Sequence, residues 1–245
     1  SLKATLRRHA RFAYRSLRRR QTRTGFYTWF FMLRRALETA GEKDPRTYFA
    51  LNVTHLIRGE FADARRVYAR ALQETDDIER VREWVHSIAD RHAGNAQTHL
   101  VQGLFLAQSG QSEQSMASYK EAAKLAPQSP YPHYFLAQIH ERAAHLEMAI
   151  KEYREVVRLT PNDSAAHSNL ACALAEQGKM EPAVQSYKTA LKLNPQDAEV
   201  HFALGGLYET RGRLDLAQKS YQDALNANPD FGAGHSALGW LALGK

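Results

Sequence analysis

Cysteine is almost missing from this chain: Cys172 is the only one in 245 residues. That excludes an internal disulfide framework and a cysteine-rich metal site, and it leaves the compartment open. Proline (8) and glycine (14) are scarce, so the chain has few obligatory breaks. Long apolar runs are missing too. The densest, FYTWFFML at 26–33, covers about two helical turns, against the ~20 residues of a membrane-crossing helix. No Gly-rich phosphate loop and no nucleophile elbow occurs, and no spacing arranges the abundant Ser, His and Asp as a triad. Acid is absent from residues 1–35, which hold 11 Lys+Arg. Catalysis is therefore not expected, and with 44% hydrophobic residues the chain suits a helix-rich protein with a continuous core.

Charge is unevenly placed within the net +7. Residues 1–92 hold 20 Lys+Arg against 11 Asp+Glu, and 18 of those 20 are Arg; residues 93–245 hold 13 against 15. A shift in both sign and type marks a boundary near residue 93. The chain opens on Ser1 rather than Met, which reads as a fragment or a processed chain; the Arg-rich start shares its composition with a transit peptide.

What is present is a repeated phrase. YKEAAKLAP at 119–127 returns as YREVVRLTP at 153–161, YKTALKLNP at 187–195 and YQDALNANP at 221–229. Pro127, Pro161, Pro195 and Pro229 are each 34 residues apart, and His99, His133, His167, His201 and His235 keep the same step. A fixed period of this length means a repeat architecture. In the unit 164–197, Leu170, Ala171 and Leu174 mark one helical face, Gly178 stops that helix, and Met180, Ala183, Tyr187, Ala190 and Leu191 form the next stripe up to Pro195. Each unit is two antiparallel helices joined by a tight Gly turn. The small residues Ala149, Ala183 and Ala217 are expected where the two helices touch, with the tyrosine filling the gap between them. No unit buries both of its faces alone, so units must stack.

The five periodic histidines invite a metal reading. Helix axes stand ~8–10 Å apart, whereas zinc gathers its ligands at ~2 Å from one point, so a ladder of histidines cannot share an ion. Packing histidines are expected. His140 and His145, like His86 and His92, belong to no completed ligand pattern, and no metal or cofactor is expected. Glu152 and Glu155 alternate with Lys151 and Arg154 as a solvated face.

The pattern resembles the tetratricopeptide repeat, with small residues at its eighth, twentieth and twenty-seventh positions and Pro at its thirty-second. Gly103, Ala137, Ala171, Gly205 and Gly239 match the eighth. Ala149, Ala183 and Ala217 match the twentieth, with Ser115 in the first unit, and Ala122, Val156, Ala190 and Ala224 match the twenty-seventh. The family's early Trp is replaced by His throughout. The resemblance implies an all-α, right-handed helical-repeat solenoid of antiparallel helix pairs. Four repeats are expected at 96–129, 130–163, 164–197 and 198–231, with the first helix of a further repeat at 232–245. RGEFADARRVYARALQ, 58–73, suggests one more repeat over 45–78 and has a weak similarity to half-a-tetratricopeptide (HAT) repeats. An extra helix over 79–95 breaks the phase, and 1–44 reads as divergent Arg-rich helices.

Proteins of this family offer their first helices to a bound peptide. The positions carry over to Tyr131, Tyr134, Gln138, Glu141 and Arg142, then Ser168, Cys172 and Glu176, then Glu199, Phe202, Gly206 and Glu209, and finally Trp240. Tyr, Ser or Phe stands where co-chaperone members carry a clamp of Lys and Asn, so a chaperone tail is not implied. Aromatics flanked by Glu suit an apolar or a basic peptide; the plainer reading is that Tyr134 and Phe202 contact neighbouring repeats. Cys172 reads as a small groove-lining side chain.

Leu2, Leu6, Ala10, Ala13 and Leu17 share one helical face at the start of the chain. The basic patch Arg7, Arg8, Arg11, Arg15, Arg18, Arg19, Arg20 and Arg23 surrounds it. Such a helix can meet an anionic membrane on the cytoplasmic side, contact RNA phosphate, or pack its stripe onto the solenoid and leave Arg in water. The expected function is a non-catalytic scaffold that binds a protein or peptide partner in the concave groove; the alternative is an RNA-binding repeat protein. GHSALGWLALGK reads as a first helix without its partner, so more repeats are expected beyond Lys245, together with end-to-end self-association through residues 232–245.

Overall fold

The computed structural model describes residues 94–243, and the chain divides into two compact units after Leu125. The Arg-rich helices of 1–44, the repeat at 45–78, the HAT-like phrase and nearly all of the phase-breaking helix at 79–95 lie outside the described residues. Every regular element among the described residues is an α-helix. The first unit contributes α1 (Ala96–Gln108) and α2 (Ser112–Leu125). The second contributes α3 (Pro130–Arg142), α4 (Leu146–Leu159), α5 (Ser164–Glu176), α6 (Met180–Leu193), α7 (Ala198–Thr210), α8 (Leu214–Ala227) and α9 (Gly232–Leu243). The first helices begin 34 residues apart, as the prolines do. This is an all-α helical-repeat solenoid of antiparallel helix pairs.

Local chemistry sets the helix ends. Asn95, Asp163 and Asp197 cap α1, α5 and α7 by accepting from Gln97, Ala165 and Val200 backbone N–H groups. At α3 a proline occupies the first turn instead, where its missing N–H leaves no orphan. The turn inside each pair needs one left-handed residue, supplied by Gly110, Gly178 and Gly212 at φ 76°, 81° and 68°. At Gly178 its own N–H bonds Ala175 O at 2.9 Å and the Lys179 N–H bonds Leu174 O at 2.8 Å, which satisfies two end carbonyls of α5. The second repeat makes the same turn with Ala144 at φ 57°.

Inside each pair a tyrosine lies across a residue that has little or no side chain. A Cβ at Gly103 would fall 2.6 Å from Tyr119 Cδ1, and one at Gly205 would fall 2.5 Å from Tyr221 Cε1. Ser115 donates from Oγ to Gly103 O at 2.6 Å, so the first pair closes its tightest contact with a hydrogen bond. Antiparallel register shows in Ser164 Oγ, at the start of α5, donating to Ala190 O near the end of α6 at 3.1 Å.

In the second unit the alternation of close contacts builds one core. The helix α4 packs between α3 and α5, α6 between α5 and α7, and α8 between α7 and α9. The core runs through Ala137, Tyr153, Leu174, Tyr187, Leu204 and Tyr221, and the partly buried Leu238 and Leu241 of α9 pack against it. Arg211 ties α7's C-terminal cap to Glu181 of the preceding repeat at 2.5 Å.

The periodic histidines do something more specific than packing. Nε2 of His167, His201 and His235 lies 3.0, 3.0 and 2.8 Å from the carbonyls of Pro161, Pro195 and Pro229. A carbonyl only accepts, so Nε2 carries the proton. Each ring thus ties the inter-repeat turn to the next first helix from a partly or wholly exposed position. His133 departs from this and meets Glu152 Oε2 at 2.7 Å. Glu152 is therefore held against α3 rather than solvated, while Glu155 pairs with Arg158 at 2.6 Å.

Candidate functional site

The first helices of the second unit, α3, α5, α7 and α9, carry every groove position expected from the sequence. Tyr134 and Phe202 occupy equivalent positions and both are half-buried. Tyr134 stands edge-on to Tyr153, with centroids 6.4 Å apart, and its hydroxyl accepts from Gln138 Nε2 at 2.8 Å. Phe202 lies between Tyr221 at 5.3 Å and Phe231 at 5.4 Å. Both rings are thus braced by residues of their own repeat and remain partly exposed. Such rigid aromatics lose little entropy when a partner covers them.

Three expected residues converge between neighbouring repeats. The ligand-bearing atoms of Glu141 on α3 and of Cys172 and Glu176 on α5 lie within 4.8 Å of one another. Cys172 Sγ is 3.9 Å from Glu176 Oε1. Glu141 is half-buried, whereas Cys172 and Glu176 are exposed. Tyr131, Ser168 and Gly206 are half-buried on the same helices; Arg142, Glu199, Glu209 and Trp240 are exposed, Trp240 to 73%. The basic patch from Arg7 to Arg23 lies outside the described residues.

The second helices reach this face as well. Tyr153 donates its hydroxyl to Glu141 Oε2 at 3.1 Å, and Tyr221 donates to Glu209 Oε2 at 2.5 Å. In the repeat between them Ala175 replaces the acid, and the Tyr187 phenol meets the Cys172 thiol instead. Sequence reasoning assigned these tyrosines to the core alone. The signal was available: Glu141 and Glu209 each precede their tyrosine by 12 residues, one turn-and-return of the hairpin.

Burial pushes the Glu141 carboxyl above the usual carboxylate range; the hydrogen bond from Tyr153 opposes this and the neighbouring Glu176 adds to it. The Cys172 thiol is raised chiefly by desolvation, then by Glu176 and Glu141. Burial likewise raises the phenols of Tyr153, Tyr187 and Tyr221. Among the described residues, ion pairs join Lys124 to Glu121, Arg158 to Glu155 and Arg211 to Glu181, and His133 hydrogen-bonds Glu152. None of these pairs involves Glu141, Glu176 or Glu209. Glu141 and Glu209 are held by phenols, which share the charge without neutralising it.

Three family models match the chain: one described as TPR repeat over residues 171–212, and two described as tetratricopeptide repeat over 100–164 and 198–231. No curated protein matches it. Among solved structures, MamA 41-end from Desulfovibrio magneticus RS-1 superposes with a TM-score of 0.59 at 17% identity, covering 78% of this chain and 98% of that one. Another MamA crystal structure gives 0.57 at 18%, over 73% of this chain and 95% of that one. YrrB, described as a TPR protein with an unusual peptide-binding site, gives 0.55 at 16%, over 84% and 96%. At these identities the similarity is one of fold.

Proposed function

Because residues 100–231 of the chain belong to the tetratricopeptide repeat family, we propose that it is a non-catalytic scaffold that binds another protein. The partner lays an extended segment across the face of α3, α5, α7 and α9. The observation that carries this reading is the pair of half-buried aromatics, Tyr134 and Phe202, held by their own repeats and still partly exposed. Braced aromatics of this kind are common binding hot spots. YrrB, a TPR protein described as having an unusual peptide-binding site, lends the fold a precedent.

Binding of a partner isolated with the intact chain, measured by titration calorimetry, tests the reading. Tyr134→Ala and Phe202→Ala should each weaken the complex by about 1–2 kcal/mol or more. Lys219→Ala, exposed on α8, should leave it unchanged. Equal affinity for all three variants and the parent places the partner elsewhere.

The exposure of Trp240 favours a second reading alongside the first: self-association of two copies through residues 232–243 of α9. An indole left 73% accessible on a helix whose Ala237, Leu238 and Leu241 pack against the core offers an association point.

A further inference from the structure

Among the helices of the second unit, lysine is confined to the second helices of the repeats, while acids stand on both helices. The first helices α3, α5, α7 and α9 carry Glu141, Glu176, Glu199 and Glu209 against a single Arg142, and contain no Lys. Every Lys of the helices in this unit stands on α4, α6 or α8: Lys151, Lys188, Lys192 and Lys219. The proposed binding face is therefore acidic in a chain whose net charge is +7. Solubility requires no such sorting. A surface with an excess of carboxylates beside aromatic rings favours partners that carry positive charge.

We propose that the segment bound on this face presents an Arg or Lys side chain, which seats between Glu141 and Glu176 while its neighbouring residue lies against Tyr134. This rests on the peptide-binding reading above and names the chemistry of the peptide. The acceptor atoms of the two carboxylates come from different repeats and lie within 4.8 Å of one another, close enough for one guanidinium or ammonium to bond both. Three glutamates elsewhere in the described residues, Glu121, Glu155 and Glu181, already pair with a Lys or Arg, whereas these two are in none of the ion pairs of the described residues. Glu141 is also partly desolvated beside a like charge, so an incoming cation relieves a repulsion already present in the fold. Arg is favoured over Lys, since its planar fork bonds two carboxylate oxygens at once.

The test uses the full chain and an oriented library of nine-residue peptides, with the central residue fixed in turn as Arg, Lys, Leu or Glu. Only the retained signal that Tyr134→Ala removes is scored. The Arg and Lys pools should be retained at least about tenfold over the Glu pool at low salt. The Glu141→Gln/Glu176→Gln double variant, with its helical circular dichroism unchanged, should bring that ratio close to one without altering the Leu pool, and added EDTA should change nothing. A Glu pool retained as well as the Arg pool, a ratio that survives the double variant, or a preference that EDTA abolishes overturns the cationic assignment and leaves the peptide reading standing. If no pool gives a Tyr134-dependent signal, the peptide reading falls and this inference falls with it.

Discussion

Tyr153 crosses from the second helix of its repeat to the first and donates its hydroxyl to Glu141 Oε2 at 3.1 Å. Its ring covers the core while its oxygen reaches the face proposed to bind the partner, so one side chain serves stability and site geometry together. Tyr153→Phe keeps the ring and removes the bond. It should cost about 1 kcal/mol of stability, read as a fall of a few degrees in the melting temperature. The same variant should loosen the Glu141 carboxylate and weaken binding of an Arg-centred peptide. A variant that melts and binds like the parent would show that the bond does no structural or positioning work.

The turn between α3 and α4 places Ala144 at φ 57°, a region that the other three described turns fill with glycine. A side chain there costs about 1 kcal/mol relative to glycine, partly offset by the greater freedom of glycine in the unfolded chain. Ala144→Gly should therefore raise stability by roughly 0.5 kcal/mol, and Gly178→Ala should lower it by about 1 kcal/mol. Thermal melts of the two single variants check both signs. Opposite signs would mean that the turn geometry is misassigned.

Cys172 offers a pH readout of the Glu141 and Glu176 cluster. Its thiol is raised by desolvation and then by the two carboxylates, so its thiolate fraction near neutral pH is below that of an ordinary exposed cysteine. Maleimide labelling should be slower than that of a free thiol peptide and should climb with pH over a more alkaline range. Glu176→Gln removes one negative neighbour and should shift that curve to lower pH, raising the rate at pH 7.5 by roughly two- to fivefold. An unchanged curve would separate Cys172 from the cluster electrostatically.

Self-association through α9 is read by light scattering. The parent should gain apparent mass as concentration rises, and Trp240→Glu, which puts a charge at the most exposed large apolar side chain, should stay monomeric. A parent that remains monomeric at high concentration contradicts this second reading.

The parts of the fold legible in the sequence are those fixed by steric rules. Gly178 announced a left-handed turn, Pro195 announced the end of a pair, and Ala183, fully buried, announced a helix contact with no room for a larger group. The histidine ladder was visible but its role was not. A helical-wheel reading puts His167 beside the core, whereas its ring turns back six residues to the Pro161 carbonyl. Tyr134 and Phe202 were legible as equivalent positions on two of the first helices, because repeat position alone places them. What escaped was the coupling across the hairpin: Tyr153 and Glu141 meet only after the two helices fold back on each other, and that register is set by the turn rather than by either helix. The convergence of Cys172 and Glu176 with Glu141 is further still from the sequence, since it depends on how one repeat stacks on the next.

The proposed binding face can be tested from its own single thiol. Benzophenone maleimide attached to Cys172, exposed on α5, photo-crosslinks whatever lies across the face; the comparison protein carries Cys172→Ser with Lys219→Cys and places the same probe on α8. With the purified partner bound, position 172 should give an adduct that maps by mass spectrometry to one short segment containing Arg or Lys. Excess free peptide of that segment should abolish it, and position 219 should give little adduct. Equal crosslinking from both positions, or an adduct from 219 alone, would place the partner away from the face of α3, α5, α7 and α9.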